Sequence, residues 1–184
     1  MPKNAAAPED FVKSKLRRLL PEHFLFAEEV RGRGPFQNVR ADFWCSPKPH
    51  LVEAGWVPEP FAIEAKGFQL DDHRKRTAVH VIQQAIIYSM ALFPTRQGDK
   101  RPNWVLIHPP LSALLDADSA QRPQTFGGGL MYGLARVGAL FNVGEFDIND
   151  DGFEVMFHGG TYYSSKRGFN GANQLARGRD VASR

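Results

Sequence analysis

The sequence predicts an α/β protein: a mixed β-sheet flanked by helices, forming one domain over residues 1–164 with a basic, flexible tail over 165–184. Three observations predict it. A segment of helical spacing near the start precedes three segments of strand-like spacing. A longer helical segment follows them. The apolar run inside Trp104–His108 then shows no polar alternation, as expected of a strand covered on both faces. The order gives an αβββαβ core, to which a C-terminal helix and hairpin are added.

Residues 1–8 read as a loose arm. From Glu9 to Leu20, apolar residues recur at Phe11, Val12, Leu16, Leu19 and Leu20, a helical period, with Pro21 as its expected stop. Pro8 followed by Glu9 and Asp10 suits a first helical turn, where acids complement the dipole. Phe24–Arg31 reads as a strand ending in a Gly-Arg-Gly-Pro turn. Asn38–Ser46 alternates through Val39, Ala41, Phe43 and Cys45 as a second strand. A proline-rich loop (Pro47, Pro49, Pro58, Pro60) leads to a third, Phe61–Phe68.

Asp72–Phe93 is the longest expected helix. Val79, Ile82, Ile86, Met90 and Phe93 form its stripe, alanines allow close packing, and Pro94 stops it. Beyond the Trp104–His108 strand, Gly129–Phe141 reads as a helix. Val143–Ile148 and Phe153–His158 read as a hairpin around Asn149-Asp-Asp-Gly152.

The chain has 184 residues, 42% hydrophobic and 23% charged, an ordinary globular composition. No apolar run approaches the ~18 residues a membrane span needs, and the start shows no signal-peptide apolar stretch, so a cytoplasmic protein without a membrane partner is expected. A single cysteine, Cys45, excludes an internal disulfide and a multi-cysteine zinc site. Net charge is only +3. Basic residues nevertheless cluster at Lys13, Lys15, Arg17 and Arg18, at Arg74, Lys75 and Arg76, and after Lys166, a distribution compatible with a phosphate backbone.

The informative segment is Phe-Ala-Ile-Glu-Ala-Lys-Gly-Phe, 61–68. Glu64 and Lys66 lie two apart and share one strand face, and Asp42 is read as the end of a similar run upstream. A core-facing half-strand carrying both charges suggests a metal and an activated water. Asp42 and Glu64, with the carbonyl of Ala65, are the candidate ligands for Mg²⁺ or Mn²⁺, hard cations that take oxygen donors and retain water. Lys66 beside them suits orienting or deprotonating a water, or stabilising phosphate oxygens.

This pattern resembles the PD-(D/E)XK nuclease superfamily, in which an acid on one strand precedes Glu-X-Lys on the next. The resemblance covers about the first 110 residues in element order, and its specific residues are Asp42, Glu64 and Lys66. Two departures are visible: Ala41 stands where a proline often precedes the acid, and the proline-rich insertion lengthens the spacing between the acids. Gln84 and Tyr88 lie on one helix face and resemble the Gln-X-X-X-Tyr that borders the site in RecB-like nucleases; Gln83 is the fallback if the helix is rotated. The resemblance implies a restriction-endonuclease-like sheet and a further acid from the first helix. Glu9 is the choice, with Asp10, Glu28 and Glu29 as competitors. It also implies a metal-dependent nuclease acting on DNA, as an exonuclease or a sequence-tolerant endonuclease, with Arg74, Lys75 and Arg76 gripping the backbone. RNA offers the same phosphodiester chemistry. A junction resolvase, which would be a homodimer, and a non-catalytic binding protein on the same fold are the alternatives.

Other constellations are weaker. The six histidines lack HExxH or paired metal spacing; His108, just after the buried strand, reads as simple packing, with lining a cleft as the alternative. Gly127-Gly128-Gly129 lacks the lysine of a P-loop. Asp147, Asp150 and Asp151 lack the closing glutamate of a calcium loop. Cys45 reads as core filler.

Overall fold

The computed structural model describes residues 8–67, 74–111, 126–157 and 160–164; the expected arm over 1–7, Phe68 and the tail over 165–184 lie outside them. The first helix, α1, spans Glu9–His23. Strands β1 (Phe24–Arg33) and β2 (Asn38–Pro47) form an antiparallel pair. A short helix α2 (Pro49–Glu53) precedes β3 (Phe61–Ala65). Then follow α3 (Arg74–Ser89), a small hairpin of β4 (Phe93–Thr95) and β5 (Gly98–Lys100), and β6 (Val105–His108). The last elements are α4 (Phe126–Ala139), β7 (Val143–Asn149), β8 (Gly152–Phe157) and β9 (Gly160–Ser164).

Seven strands form one sheet in the order β1-β2-β3-β6-β7-β8-β9. It is mixed: β6 runs parallel to both β3 and β7, and the remaining pairs are antiparallel. The expected helix-flanked mixed sheet is therefore present. Helix α1 covers one face, where Val12, Leu16, Leu19 and Leu20 join Phe24, Phe43, Ile63 and Leu106. Helix α3 covers the other, where Ala78, Val81, Ile82 and Ala85 meet Ala62, Val105 and Ile107. Strand β6 is buried at every position, as its unbroken apolar run requires.

Several boundaries moved for identifiable reasons. Pro21 lies inside the last turn of α1 instead of ending it: the Phe24 N–H still reaches the Leu20 carbonyl, and the Lys48 ammonium holds the Pro21 carbonyl. Strand β1 runs on through Arg33, so Gly32 belongs to the strand and not to the turn. Strand β3 stops at Ala65 because its partner β6 stops at His108, ahead of Pro109. Helix α3 ends at Ser89, short of Phe93. Pro94 pushes Phe93 into extended backbone, and Leu92 pairs with Arg33 on β1 instead of continuing the helix. Helix α4 runs Phe126–Ala139 instead of 129–141. Four elements carried no readable signal, namely α2, β4, β5 and β9.

A fork in the sheet follows from the register. The β2–β3 ladder ends at Phe43 opposite Ile63, so Asp42 and Glu64 are the first residues past the last pair. Around Asp42 the strand rotates. Phe43 and Cys45 pack on the α1 side, whereas Val39 and Ala41 pack on the α3 side, although strict alternation would put all four on one face. On β1 the same switch separates Phe24 and Phe26 from Val30. Between them Glu29 takes a left-handed conformation, φ 54°, and the Glu29–Asp42 step is left without a pair. The far half of the β1–β2 pair thus leaves the main sheet as an arm over α3.

Candidate active site

At the fork, a cleft of about 300 Å³ opens between the β1–β2 arm, β3, α1 and α3. Glu9, Asp42, Glu64, Lys66, Gln84 and Tyr88 all line it. Six residues distributed from position 9 to position 88 therefore converge on one space.

Asp42 is buried at the fork. Its Oδ2 accepts the Ala65 N–H at 2.8 Å, replacing the backbone bond that the diverging strand no longer makes. Its Oδ1 lies 2.6 Å from the Lys13 ammonium. Glu64 is 2% exposed, and its Oε1 meets Lys66 Nζ at 2.8 Å. Its Oε2 is buried without a hydrogen-bond partner among the described residues, as is Gln84 Oε1. Burial, and secondarily the neighbouring Asp42 charge, pushes the Glu64 carboxyl up to about 7, although Lys66 opposes the shift. For Lys66 the balance runs the other way. Burial is the largest single influence and lowers its pKa, but Glu64, Glu9 and Asp42 together outweigh it and raise it, so the amine is held protonated.

Glu9 reaches this centre from the first turn of α1, with Oε1 2.9 Å from Lys13 and Oε2 3.7 Å from Lys66. Of its competitors, Asp10 is exposed and outside the cleft, and Glu28 points away to Arg17 at 2.7 Å. Glu29 stands at the edge, 3.6 Å from Lys13 and 2.7 Å from Arg40. Gln84 faces the cleft, whereas the fallback Gln83 is exposed. The Tyr88 hydroxyl donates to the Arg40 carbonyl at 2.9 Å and pins the arm to α3; burial and the Glu64 and Asp42 charges raise its pKa. Arg74, Lys75 and Arg76 form the first turn of α3, and their side chains lie outside the described residues.

Sequence reasoning missed Lys13 as a site residue, although it is four residues beyond Glu9 on the same helix face, a spacing that predicts the pair. Burial lowers its pKa as the largest single influence, and hydrogen bonds and charges from Asp42 and Glu9 more than reverse this, leaving a firmly protonated ammonium. His108 is packed inside the sheet, 5% exposed, and does not line the cleft. Its Nδ1 lies 2.8 Å from the Phe146 carbonyl, and burial pushes it down to about 4. Cys45 is fully buried, and burial raises its thiol.

The donor set suits a hard cation. Asp42 and Glu64 offer carboxylate oxygens, and the buried Glu64 Oε2 makes no hydrogen bond among the described residues. Among the described residues no three His, Cys, Asp or Glu side chains gather closely enough to form a metal centre. Lys13 and Lys66 stand between the carboxylates instead, and their ammonium groups balance the acids. Comparison with protein-family profiles, curated proteins and solved structures finds no match.

Proposed function

We propose that this chain is a divalent-metal-dependent nuclease with a restriction-endonuclease-like core, hydrolysing phosphodiester bonds in DNA. The observation that carries the reading is the convergence of Asp42, Glu64 and Lys66 at the sheet fork, with Glu9, Gln84 and Tyr88 around them. A carboxylate pair, a protonated lysine and an orphaned buried acceptor are the parts that phosphoryl hydrolysis needs in one place.

Asp42 and Glu64, with the Ala65 carbonyl, would hold Mg²⁺ or Mn²⁺, which when bound supplies a water of lowered pKa and neutralises phosphate charge. Lys66 donates to the water or to a phosphate oxygen from its seat on Glu64, and Glu9 orients it from the other side. Gln84 offers an amide to Lys66 or the phosphate. Tyr88 acts as a positioning residue, fixing the arm that carries Asp42. Arg74, Lys75 and Arg76, at the start of the helix that lines the cleft, are assigned to the DNA backbone. The setting is cytoplasmic.

Incubation with linear, circular, single-stranded and branched DNA in Mg²⁺ or Mn²⁺ tests this. Lys66→Ala is expected to lower the cleavage rate by about 10²–10³-fold. Absence of cleavage on every substrate, or undiminished cleavage by Lys66→Ala, overturns the assignment.

A further inference from the structure

The arm that leaves the sheet at the fork carries a surface the nuclease reading does not use. Its outer face begins at Asp42 and runs outward through two cross-strand pairs, Arg40 opposite Arg31 and Asn38 opposite Arg33. Val39 and Ala41 pack on the α3 side, so by alternation Asn38 and Arg40 lie on the other face of the arm; Asn38, Val39 and Arg40 all border the cleft. Like charges directly opposite on a strand pair disfavour the pairing. Arg31 nevertheless faces Arg40; Arg40 lies 2.7 Å from Glu29 and Arg33 3.5 Å from Asp99, whereas Arg31 has no acidic partner among the described residues. At the tip stands Phe36, 87% exposed.

The tip is rigid. Gly34 N–H donates to the Gln37 carbonyl at 3.0 Å, and Arg33 and Leu92 exchange backbone bonds of 2.8 and 3.0 Å behind the turn. Gly34 has no room for a side chain, since a Cβ there would sit 2.6 Å from the Gln37 carbonyl oxygen. Phe36 is therefore presented to solvent by a braced turn, so contact with a flat partner orders little further chain.

We propose that this arm is a docking track for single-stranded DNA, with Phe36 stacking an unpaired base and Arg31, Arg33 and Arg40 holding the backbone that leads into the cleft. The proposal deepens the nuclease reading and rests on it for the identity of the polymer. One feature favours a single strand. An exposed aromatic stacks on an unpaired base of any sequence but finds no free face inside a duplex. Strand geometry places the tip about 20 Å from Asp42, a span of several nucleotides.

The test is fluorescence anisotropy of the full chain in EDTA, where binding is read without cleavage, using labelled oligothymidylate, a blunt duplex and oligouridylate. Phe36→Ala is expected to weaken oligothymidylate binding by about fivefold to a hundredfold and leave duplex binding unchanged. Phe36→Trp is expected to preserve it. Arg31→Ala should reduce the salt dependence of single-strand binding by about 0.7 in the log–log slope. Full retention of single-strand binding by Phe36→Ala overturns the proposal, and so does an equal loss on both DNA forms. Preferential, Phe36-dependent binding of oligouridylate overturns the choice of DNA. Because binding in EDTA is read without cleavage, failure of the nuclease reading shows in cleavage assays and failure of the arm shows here.

Discussion

At the scale of single residues, the site is a balance of charges in which lysines stand among carboxylates. Lys13 touches Asp42 and Glu9 within 3 Å and Glu29 at 3.6 Å, while Lys66 meets Glu64 and Glu9. Glu64 was legible in sequence because a carboxylate within an apolar strand has no structural reason to be there. Lys13 was not, because it looks like one of several basic residues on an amphipathic helix. Only the packing of α1 against the fork separates it from Lys15, Arg17 and Arg18. Removal of its ammonium takes from Asp42 its nearest cation and leaves Glu9 only the longer contact to Lys66. In metal-free buffer, Lys13→Met should therefore destabilise the protein by about 1–3 kcal/mol, read by thermal or urea unfolding. It should also bind Mn²⁺ more tightly by calorimetry, because no resident cation competes for the Asp42 oxygen. Unchanged affinity would mean that Lys13 does not compete with the metal.

At the scale of elements, the β1–β2 arm decides the site's geometry. It is pinned by the Tyr88 hydroxyl, by the Arg33–Leu92 bridge, and by the close approach of Gly32 to the β4 segment. A Cβ on Gly32 would lie 2.8 Å from the Phe93 ring and 3.0 Å from the Leu92 carbonyl oxygen. Gly32→Ala should therefore cost about 1–3 kcal/mol in stability. It should also impair cleavage, because the shifted arm carries Asp42 away from Glu64. Denaturant unfolding and the cleavage assay check the two effects, and a variant as stable as the parent would show that the contact relaxes freely. In the sequence, Gly32 and Gly34 read together as one turn. Alternation cannot tell a strand glycine required by a neighbouring ring from a glycine required by a turn.

Across the whole molecule, helices cover both faces of the sheet, and among the described residues no helix is long and apolar enough to cross a membrane. Burying Glu64 at the junction of these layers links the site to global stability. With its pKa raised to about 7 in the fold, Glu64 keeps a proton that an unfolded glutamate has released above its ordinary value of 4.5. The folded state thus binds more protons in that window, and rising pH favours unfolding there. Stability of the metal-free protein should fall between about pH 4.5 and 7 by an amount on the order of 1–3 kcal/mol. Glu64→Gln should flatten that decline. A parent profile level across the window, measured by urea unfolding in EDTA, would refute it.

By itself the sequence determined the order of the core elements, the buried strand β6, and the residue types of the site: an acid, Glu-X-Lys, and Gln-X-X-X-Tyr. Each is a local matter of period or of a charge placed where burial opposes it. Tertiary structure decided the rest. The choice of Glu9 over Asp10 and Glu28, the inclusion of Lys13, the exclusion of His108, and the fork itself depend on where β2 stops pairing with β3. That end-point arises from contacts between segments far apart in the chain, including Tyr88 on Arg40 and Leu92 on Arg33. No periodicity within one segment encodes it, because the two strands alternate alike whether or not they pair.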